Sequence, residues 1–448
     1  MKTRDGIKKC FLWVCLLLVL ITGIDQIHKK NLGRDIDALN IHAVLPSVRL
    51  IAAGEATHGN RETALVWKEL LVQLVEEYGC RAFILETSFG DTEKINEYLL
   101  NDSGTAEECV FQIDAGPYRT EEMVDLLQWI HDYNLLVEDH EGIRFYGIDI
   151  QRNTDSKEAL LAYIQRAEPK HVSAYYPMLG QNKPHERADT ELSAADVTTG
   201  MENNKSLYIE RTSEQEYMLA KRHADCILMT EDLLLAEGEA QSTLRDRYMA
   251  ENVLWILEHE AAYYQNSHAL LGAHNGHILR QSNSPLAYEK PMGQYLGEAL
   301  GSDYFPIGLE TGENTFWAWK RRIPWAYHVK REGWLIDLLG DASEQATFVD
   351  LSDYNDPNAA AIRGQDWNIT GIGSVYRQIQ SLYPESSGLP VRLDAAYSAI
   401  LFLPTATPSA LLGSNNITMV LLVSVFVFLC WRIMRKKRRC PISRKPHR

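Results

Sequence analysis

Short apolar runs separated by longer amphipathic segments set the rhythm of the chain. Runs at 48–54 (VRLIAAG), 81–86 (RAFILE), 143–149 (IRFYGID) and 268–273 (HALLGA) have strand length and are apolar at nearly every position, the pattern of strands buried on both faces. Between them the period lengthens to that of a helix. Residues 62–78 place Trp67, Leu70, Leu71, Leu74, Val75 and Tyr78 on one face and stop before Gly79, a residue suited to a left-handed cap. Thr120 is placed to cap a second helix, with Glu121 and Glu122 in its first turn and Met123, Leu126, Leu127, Ile130 and Asn134 continuing the period. Such alternation predicts an α/β fold with a mostly parallel central sheet covered by helices. The alternation breaks at about 152–267. There, 214–237 and 240–265 read as two long helices parted near Gly238, and 179–205 is polar and irregular. The expectation is a helical insertion with a mobile loop, not an independent domain. Strand patterns return at 303–309 (DYFPIGL) and 397–403 (YSAILFL), before a linker from Pro404.

Two apolar stretches flank this body. Residues 10–24 (CFLWVCLLLVLITGI) follow Lys8 and Lys9 and have no small-residue cleavage site after them, which favours an uncleaved anchor over a removed signal peptide or a buried core segment. At ~1.5 Å per residue they span ~22 Å, short of a ~30 Å hydrocarbon layer unless the flanks snorkel. Residues 417–434, preceded by Leu411 and Leu412 and followed by RKKRR, form a stop-transfer pattern. Basic flanks place both termini on the cytoplasmic side. The chain therefore divides into a basic N-terminus (1–9), an anchor or signal segment (10–24), an extracytoplasmic body (25–410), a transmembrane helix (411–434) and a basic tail (435–448), located at the cell membrane.

Composition changes this picture in two places. The 448 residues are 45% hydrophobic and 23% charged, ordinary for a globular protein. The net charge of −15 hides an asymmetry: residues 1–24 carry +3 and 432–448 carry nine Lys or Arg, which leaves −27 for 25–431. A body so acidic repels phosphate backbones, which excludes nucleic acid as the expected partner. Of seven cysteines, only Cys80, Cys109 and Cys226 lie outside the apolar spans and the tail, and three buried thiols are expected.

Chemistry-bearing residues gather where the predicted strands end, the place where open parallel sheets bind ligands. The first end gives Gly54-Glu55-Ala56-Thr57-His58-Gly59-Asn60-Arg61-Glu62, the second Glu86-Thr87-Ser88, the third Asp149-Ile150-Gln151 and the fourth His274-Asn275-Gly276-His277. Singly, each has a structural explanation: Glu55 as a turn cap, His58 as a loop histidine, Glu86 paired with Arg81 or Arg61. Their recurrence at four strand ends points to a site. No G-x-S-x-G elbow is present, His259-Glu260 lacks the second His of a zincin, Asn60-Arg61 replaces the Lys-Ser/Thr of a phosphate loop, and Gly371-Ile372-Gly373 lacks a third glycine. The remaining set suits a water nucleophile, with a histidine taking the proton, a carboxylate orienting the ring, and other histidines or an arginine acting on a carbonyl.

GEATHGNRE (54–62), FILET (83–87), TEEMVDLLQWIHDYN (120–134), RFYGIDIQ (144–151) and AHNGHI (273–278), in that order, resemble the erythromycin esterase family, and 291–309 and 397–408 are similar to its closing elements. The resemblance covers about 35–408. It implies an α/β core with a helical insertion and a cleft that hydrolyses an ester, in characterised members a macrolide lactone, with no cofactor. It also implies His58 as the general base, Glu55 as its carboxylate, and Glu86, His274 and His277 as further cleft residues. His277, Arg61, Lys68, Asp149 and Gln151 are the expected substrate-binding groups, and no metal ligand is assigned. Where family members often carry an Arg on the helix after the motif, this chain has Trp67 followed by Lys68. The expected partners are a small-molecule ester and the lipid bilayer. The rival readings are a metal-dependent ester or peptide hydrolase using His58, His274, His277, Glu55 and Glu86, and a non-catalytic cell-surface or envelope-polysaccharide protein.

Overall fold

The computed structural model describes residues 45–413 except 102, 181–192, 283–289, 321–322, 331–334, 340–345, 378, 381–382 and 384–386. The segments expected to meet a membrane, 10–24 and 411–434, lie outside the described residues apart from 411–413. Among the described residues no helix is long and apolar enough to cross a membrane.

The first half follows the predicted alternation. β1 (Leu50–Glu55), α1 (Arg61–Tyr78) and β2 (Ala82–Ser88) are followed by α2 (Asp91–Asn101), α3 (Ala106–Gln112), α4 (Glu121–Asn134) and β3 (Arg144–Asp149). α1 stops at Gly79, whose φ of 66° lets its N–H turn back to the Leu74 carbonyl. α4 starts where the Thr120 hydroxyl accepts the Met123 amide at 3.2 Å. Six further helices precede the next strand: α5 (Thr154–Ala167), α6 (Val172–Leu179), α7 (Ala194–Asn203), α8 (Lys205–Arg211), α9 (Glu214–Leu235) and α10 (Gly238–Tyr264). Of the polar stretch 179–205, expected to be an irregular mobile loop, 181–192 lie outside the described residues, while 194–203 form the helix α7. Its signal was the Ser193/Asp196 capping box, in which each side chain accepts the other's backbone amide.

The main sheet is then completed by β4 (Ala269–His274), which leads into α11 (Asn275–Ile278) and α12 (Met292–Leu300), and by β5 (Tyr304–Lys320), β6 (Ile323–Lys330), β7 (Thr347–Asp350) and β10 (Ala399–Ala406); β8 (Asp366–Thr370) and β9 (Gly388–Arg392) form a separate two-stranded sheet. Strand order is β3-β2-β4-β1-β5-β10-β7, with β6 paired to the far end of β5. Neighbours from β3 to β10 are parallel, and β7 and β6 are antiparallel additions. All six apolar runs of the sequence are therefore strands of one mostly parallel sheet. β5 continues past Leu309 to Lys320 because its polar stretch still pairs with β10 and its tip with β6, a hairpin the apolar pattern did not reveal.

Alternate residues of each strand feed two cores. Leu50, Ala52, Ile84 and Leu271 pack with Met229 of α9, with Met249, Val253 and Ile256 of α10 and with Leu296 of α12. Ile51, Ala53, Phe83 and Leu270 face Leu70 and Leu74 of α1 and Leu126 and Ile130 of α4. Burial on both faces accounts for the unbroken apolar runs. α10 is further locked to β3 by Arg144, whose Nε and Nη2 donate to Glu260 at 2.6 and 2.7 Å while Tyr146 also donates to that carboxylate. Glu260 is thus a buried fold lock, consistent with setting His259-Glu260 aside as a metal motif. Cys80, Cys109 and Cys226 are free and buried, as expected.

Candidate active site

The carboxyl ends of β1, β2, β3 and β4 bring Glu55, Glu86, Asp149 and His274 to one end of the sheet, as parallel pairing of these strands requires. Two tight approaches hold the β1 loop in place. A Cβ on Gly54 would lie 2.1 Å from the Asn275 side-chain oxygen, and one on Gly59 would lie 2.1 Å from the Trp317 carbonyl. Asn275 clamps β4 to β5, donating to the Leu309 carbonyl at 2.7 Å and accepting its amide at 3.0 Å. Gly54→Ala should displace this clamp and destabilise the protein by about 1–3 kcal/mol, as overpacking typically does. Urea unfolding with an unchanged slope checks it; a midpoint equal to the parent's would contradict the packing argument.

His58 and Glu55 form the first half of the site. His58 Nδ1 is 2.6 Å from Glu55 Oε1, and the Tyr118 hydroxyl donates to the same oxygen at 2.7 Å. A carboxylate only accepts, so the His58 proton sits on Nδ1 and the Nε2 lone pair is left for another partner. Burial works to lower the His58 pKa, but the touching Glu55 carboxylate, helped by Glu86, raises it above 6.5. Burial and the same two carboxylates push the Tyr118 phenol well above its usual range, so it remains a donor. Trp67 supports this pair from below: it is 1% exposed, donates to the Ala53 carbonyl at 3.0 Å and meets the Tyr118 ring edge-on at 5.8 Å.

His274 forms the second half. Its ring centroid is 5.3 Å from that of His58. The Gly276 amide donates to His274 Nδ1 at 3.2 Å, which puts the proton of the neutral ring on Nε2, and that buried nitrogen has no partner within 3.5 Å among the described residues. Burial, with His58 and His277 adjacent, lowers the His274 pKa to about 3, although Glu86 and the nearby Ile372 carbonyl oppose this. A neutral N–H donor, approached among the described residues only by the Ile372 carbonyl, thus stands beside a histidine with a free lone pair.

Behind both lies a charge cluster centred on Arg245 of α10. Its Nη2 donates to Glu86 at 2.9 Å and to Asp149 at 2.8 Å, its Nε to Asp149 at 3.0 Å, and its Nη1 stands 3.2 Å from His277 Nε2. His277 Nδ1 is 2.8 Å from Asp246, and Glu86 also accepts the His274 amide at 2.9 Å. Burial alone would raise the Glu86 carboxyl, yet His277, Arg245 and His58 hold it well below the carboxylate range.

Arg245, Asp246 and Tyr118 were missed in the sequence because they lie in the helical insertion and in a loop, far from any strand end. Some of the expected substrate-binding groups are engaged within the protein. The Arg61 Nε donates to Glu122 of α4 at 2.9 Å. Asp149 is occupied by Arg245, by the Ile150 and Gln151 amides and by the Gln151 side chain, so both Asp149 and Gln151 position Arg245. Lys68 is half-buried on α1 and makes no ion pair or hydrogen bond with the described residues. Glu55, His58 and Glu86 could converge on one ion, since a ligand atom from each lies within 4.8 Å of the others. A separate cavity of about 580 Å³, lined by Arg144, Tyr146, His259 and Tyr264 among others, lies at the β3 edge and contains none of these groups.

The family model described as erythromycin esterase matches residues 75–406. Glu55 and His58 precede that stretch, whereas Glu86, Arg245, His274 and His277 fall within it. An erythromycin esterase type II from Escherichia coli is 26% identical over 304 residues, covering 60% of this chain and 70% of its own length. Among solved structures, a Bacillus cereus protein is similar with a TM-score of 0.70 at 21% identity, over 85% of this chain and 93% of the other. A succinoglycan biosynthesis protein gives 0.65 at 20% identity, over 85% and 98%. An erythromycin esterase mutant, EreC, in its open conformation gives 0.56 at 18% identity, over 82% and 92%. These structures share the fold.

Proposed function

The chain belongs to the erythromycin esterase family, and on that footing we propose that it hydrolyses a carboxylic ester with a water molecule activated by His58. The observation that carries this reading is the pairing of two histidines in opposite states: His58 with its proton on Nδ1 against Glu55, and His274 with an Nε2–H that has no partner within 3.5 Å among the described residues, 5.3 Å away between ring centres. Water gives a proton to His58 Nε2 as its oxygen bonds to the acyl carbon. His274 donates to the oxyanion that forms, and the imidazolium is stabilised by Glu55. The acyl–oxygen bond then breaks, the His58 proton passes to the leaving alkoxide, and an acid and an alcohol result. Glu86 and Arg245 keep His274 and His277 in place. Erythromycin-type macrolactones are the first substrates to try, followed by a panel of simple esters. We also propose that 10–24 and 417–434 anchor the chain, with the body outside the cytoplasm, because basic flanks lie on the same side of both.

A metal-assisted reading has one observation in its favour, the convergence of Glu55, His58 and Glu86. Against it, the guanidinium of Arg245 sits 2.9 Å from Glu86, and Glu55 is engaged by both His58 and Tyr118, so a cation would displace contacts already made. Turnover by the purified full chain is therefore expected to survive exhaustive chelation. Activity lost to chelator and restored by one equivalent of a divalent ion would replace the general-base reading with the metal one.

A further inference from the structure

β10 ends at Ala406, at the end of the sheet that carries the histidines, and the chain after it is tied to the His58 loop. Asn60 and Pro408 form an isolated bridge, the Ser409 amide donates to the Gly59 carbonyl at 3.1 Å, and Leu411 bridges to Thr120. Gly413 is the last described residue, and the apolar stretch starts at Ile417. From Ser409 to Ile417 the chain reaches at most about 28 Å when fully extended. A bilayer that takes up 417–434 thus has the His58 loop within about that distance of its surface.

Several large apolar side chains are exposed on the segments linked to this exit. The β5–β6 hairpin is fixed to the exit, with Trp317 donating from Nε1 to the Ser409 carbonyl at 2.7 Å and from its amide to Gly59. On the outer strand Ile323 and Trp325 are 57% and 54% exposed. Phe111, 55% exposed, lies under the Arg119 guanidinium, and the Arg119 carbonyl accepts the Leu412 amide. Val375 and Ile379, each 62% exposed, continue from Ser374, whose carbonyl accepts the Trp319 amide. Exposed large apolar residues elsewhere come in ones and twos, such as Leu135 and Leu136 before β3. Grouped exposed apolar side chains including a tryptophan, beside a short tether to an apolar segment, fit the interfacial layer of a bilayer.

We infer that the end of the sheet that carries the histidines is docked on the membrane through β6 and that the site takes an amphiphilic carboxylic ester from the bilayer. This rests on the proposed esterase and anchor readings and names their substrate class. The test uses the full chain reconstituted in phosphatidylcholine vesicles, with and without brominated acyl chains. Two esters share one leaving group: p-nitrophenyl acetate in the water and p-nitrophenyl palmitate in the bilayer. Bromolipid quenching of tryptophan fluorescence should fall in Trp325→Phe. The double variant Ile323→Glu/Trp325→Glu should lose about tenfold or more on the palmitate while keeping the acetate rate within about twofold. Quenching indifferent to Trp325, or equal effects on the two esters, would overturn the inference. If the parent cleaves neither ester, the inferred substrate class fails, the esterase reading is decided by the macrolactones, and quenching still decides the docking. A chain that does not float with the vesicles removes the anchor reading and this inference together.

Discussion

His58→Asn is expected to lower kcat/KM by about 10²- to 10⁴-fold, the usual cost of losing a general base. Asparagine is the informative replacement because its amide can still donate to Glu55, which is 1% exposed and would otherwise keep only Tyr118 as a side-chain partner among the described residues. A melting temperature close to the parent's then separates chemistry from folding. The pH profile carries a second mark. His58 acts only when neutral, and its pKa is raised above 6.5 through Glu55, so activity should rise with pH along an acidic limb whose midpoint lies above 6.5. Glu55→Gln removes the strongest raising influence while burial remains, so the limb should move to lower pH as the maximal rate falls. His274, lowered to about 3, stays neutral over this range and adds no limb of its own. A well-folded His58→Asn protein with parental turnover would leave the motif as a mark of the fold alone.

What the sequence could and could not disclose follows from how each contact is made. The strands of the parallel sheet were legible because burial on both faces forces runs such as AFIL to be apolar at every position. Strand ends were legible for a related reason: polar residues that interrupt such runs abruptly, as Glu55, Glu86, Asp149 and His274 do, stand out against them. The β5–β6 hairpin escaped because TFWAWK and IPWAYHVK mix aromatic, small and basic residues, and β6 is largely exposed. Arg245 escaped for a different reason. It sits on a helix of the insertion beside Arg247, and only tertiary packing of α10 against the sheet turns one of two similar arginines toward Glu86 and Asp149 while the other pairs with Glu251 on the surface. A largely buried arginine thus reaches the strand ends from 178 positions beyond Trp67.

Arg245→Ala is expected to cost about 3–5 kcal/mol, the range for removing one partner of a buried ion pair, and to reduce turnover with it. The side chains concerned are only 19%, 4% and 11% exposed for Arg245, Glu86 and Asp149, so water cannot replace the lost guanidinium. Two carboxylates would then face each other with His277 as the main remaining counter-charge. The pH dependence has a definite sign. In the parent, Glu86 is held well below its ordinary pKa, so its contribution is present above the unfolded value of about 4.3 and is lost as pH falls through the lower folded value. Without Arg245 the folded pKa of Glu86 rises. The deficit should therefore be largest near pH 7 and narrow below about pH 5, where protonation relieves the like charges. Arg245→Lys should fall between, since an ammonium supplies charge but not the fork that bridges Glu86 and Asp149. Urea unfolding at pH 7 and pH 5, alongside kcat/KM at each, reads all three effects. An Arg245→Ala protein with parental stability at pH 7 would show that Glu86 and Asp149 are held without it. A stable variant that lost only turnover would move Arg245 from positioning the histidines to contact with the substrate.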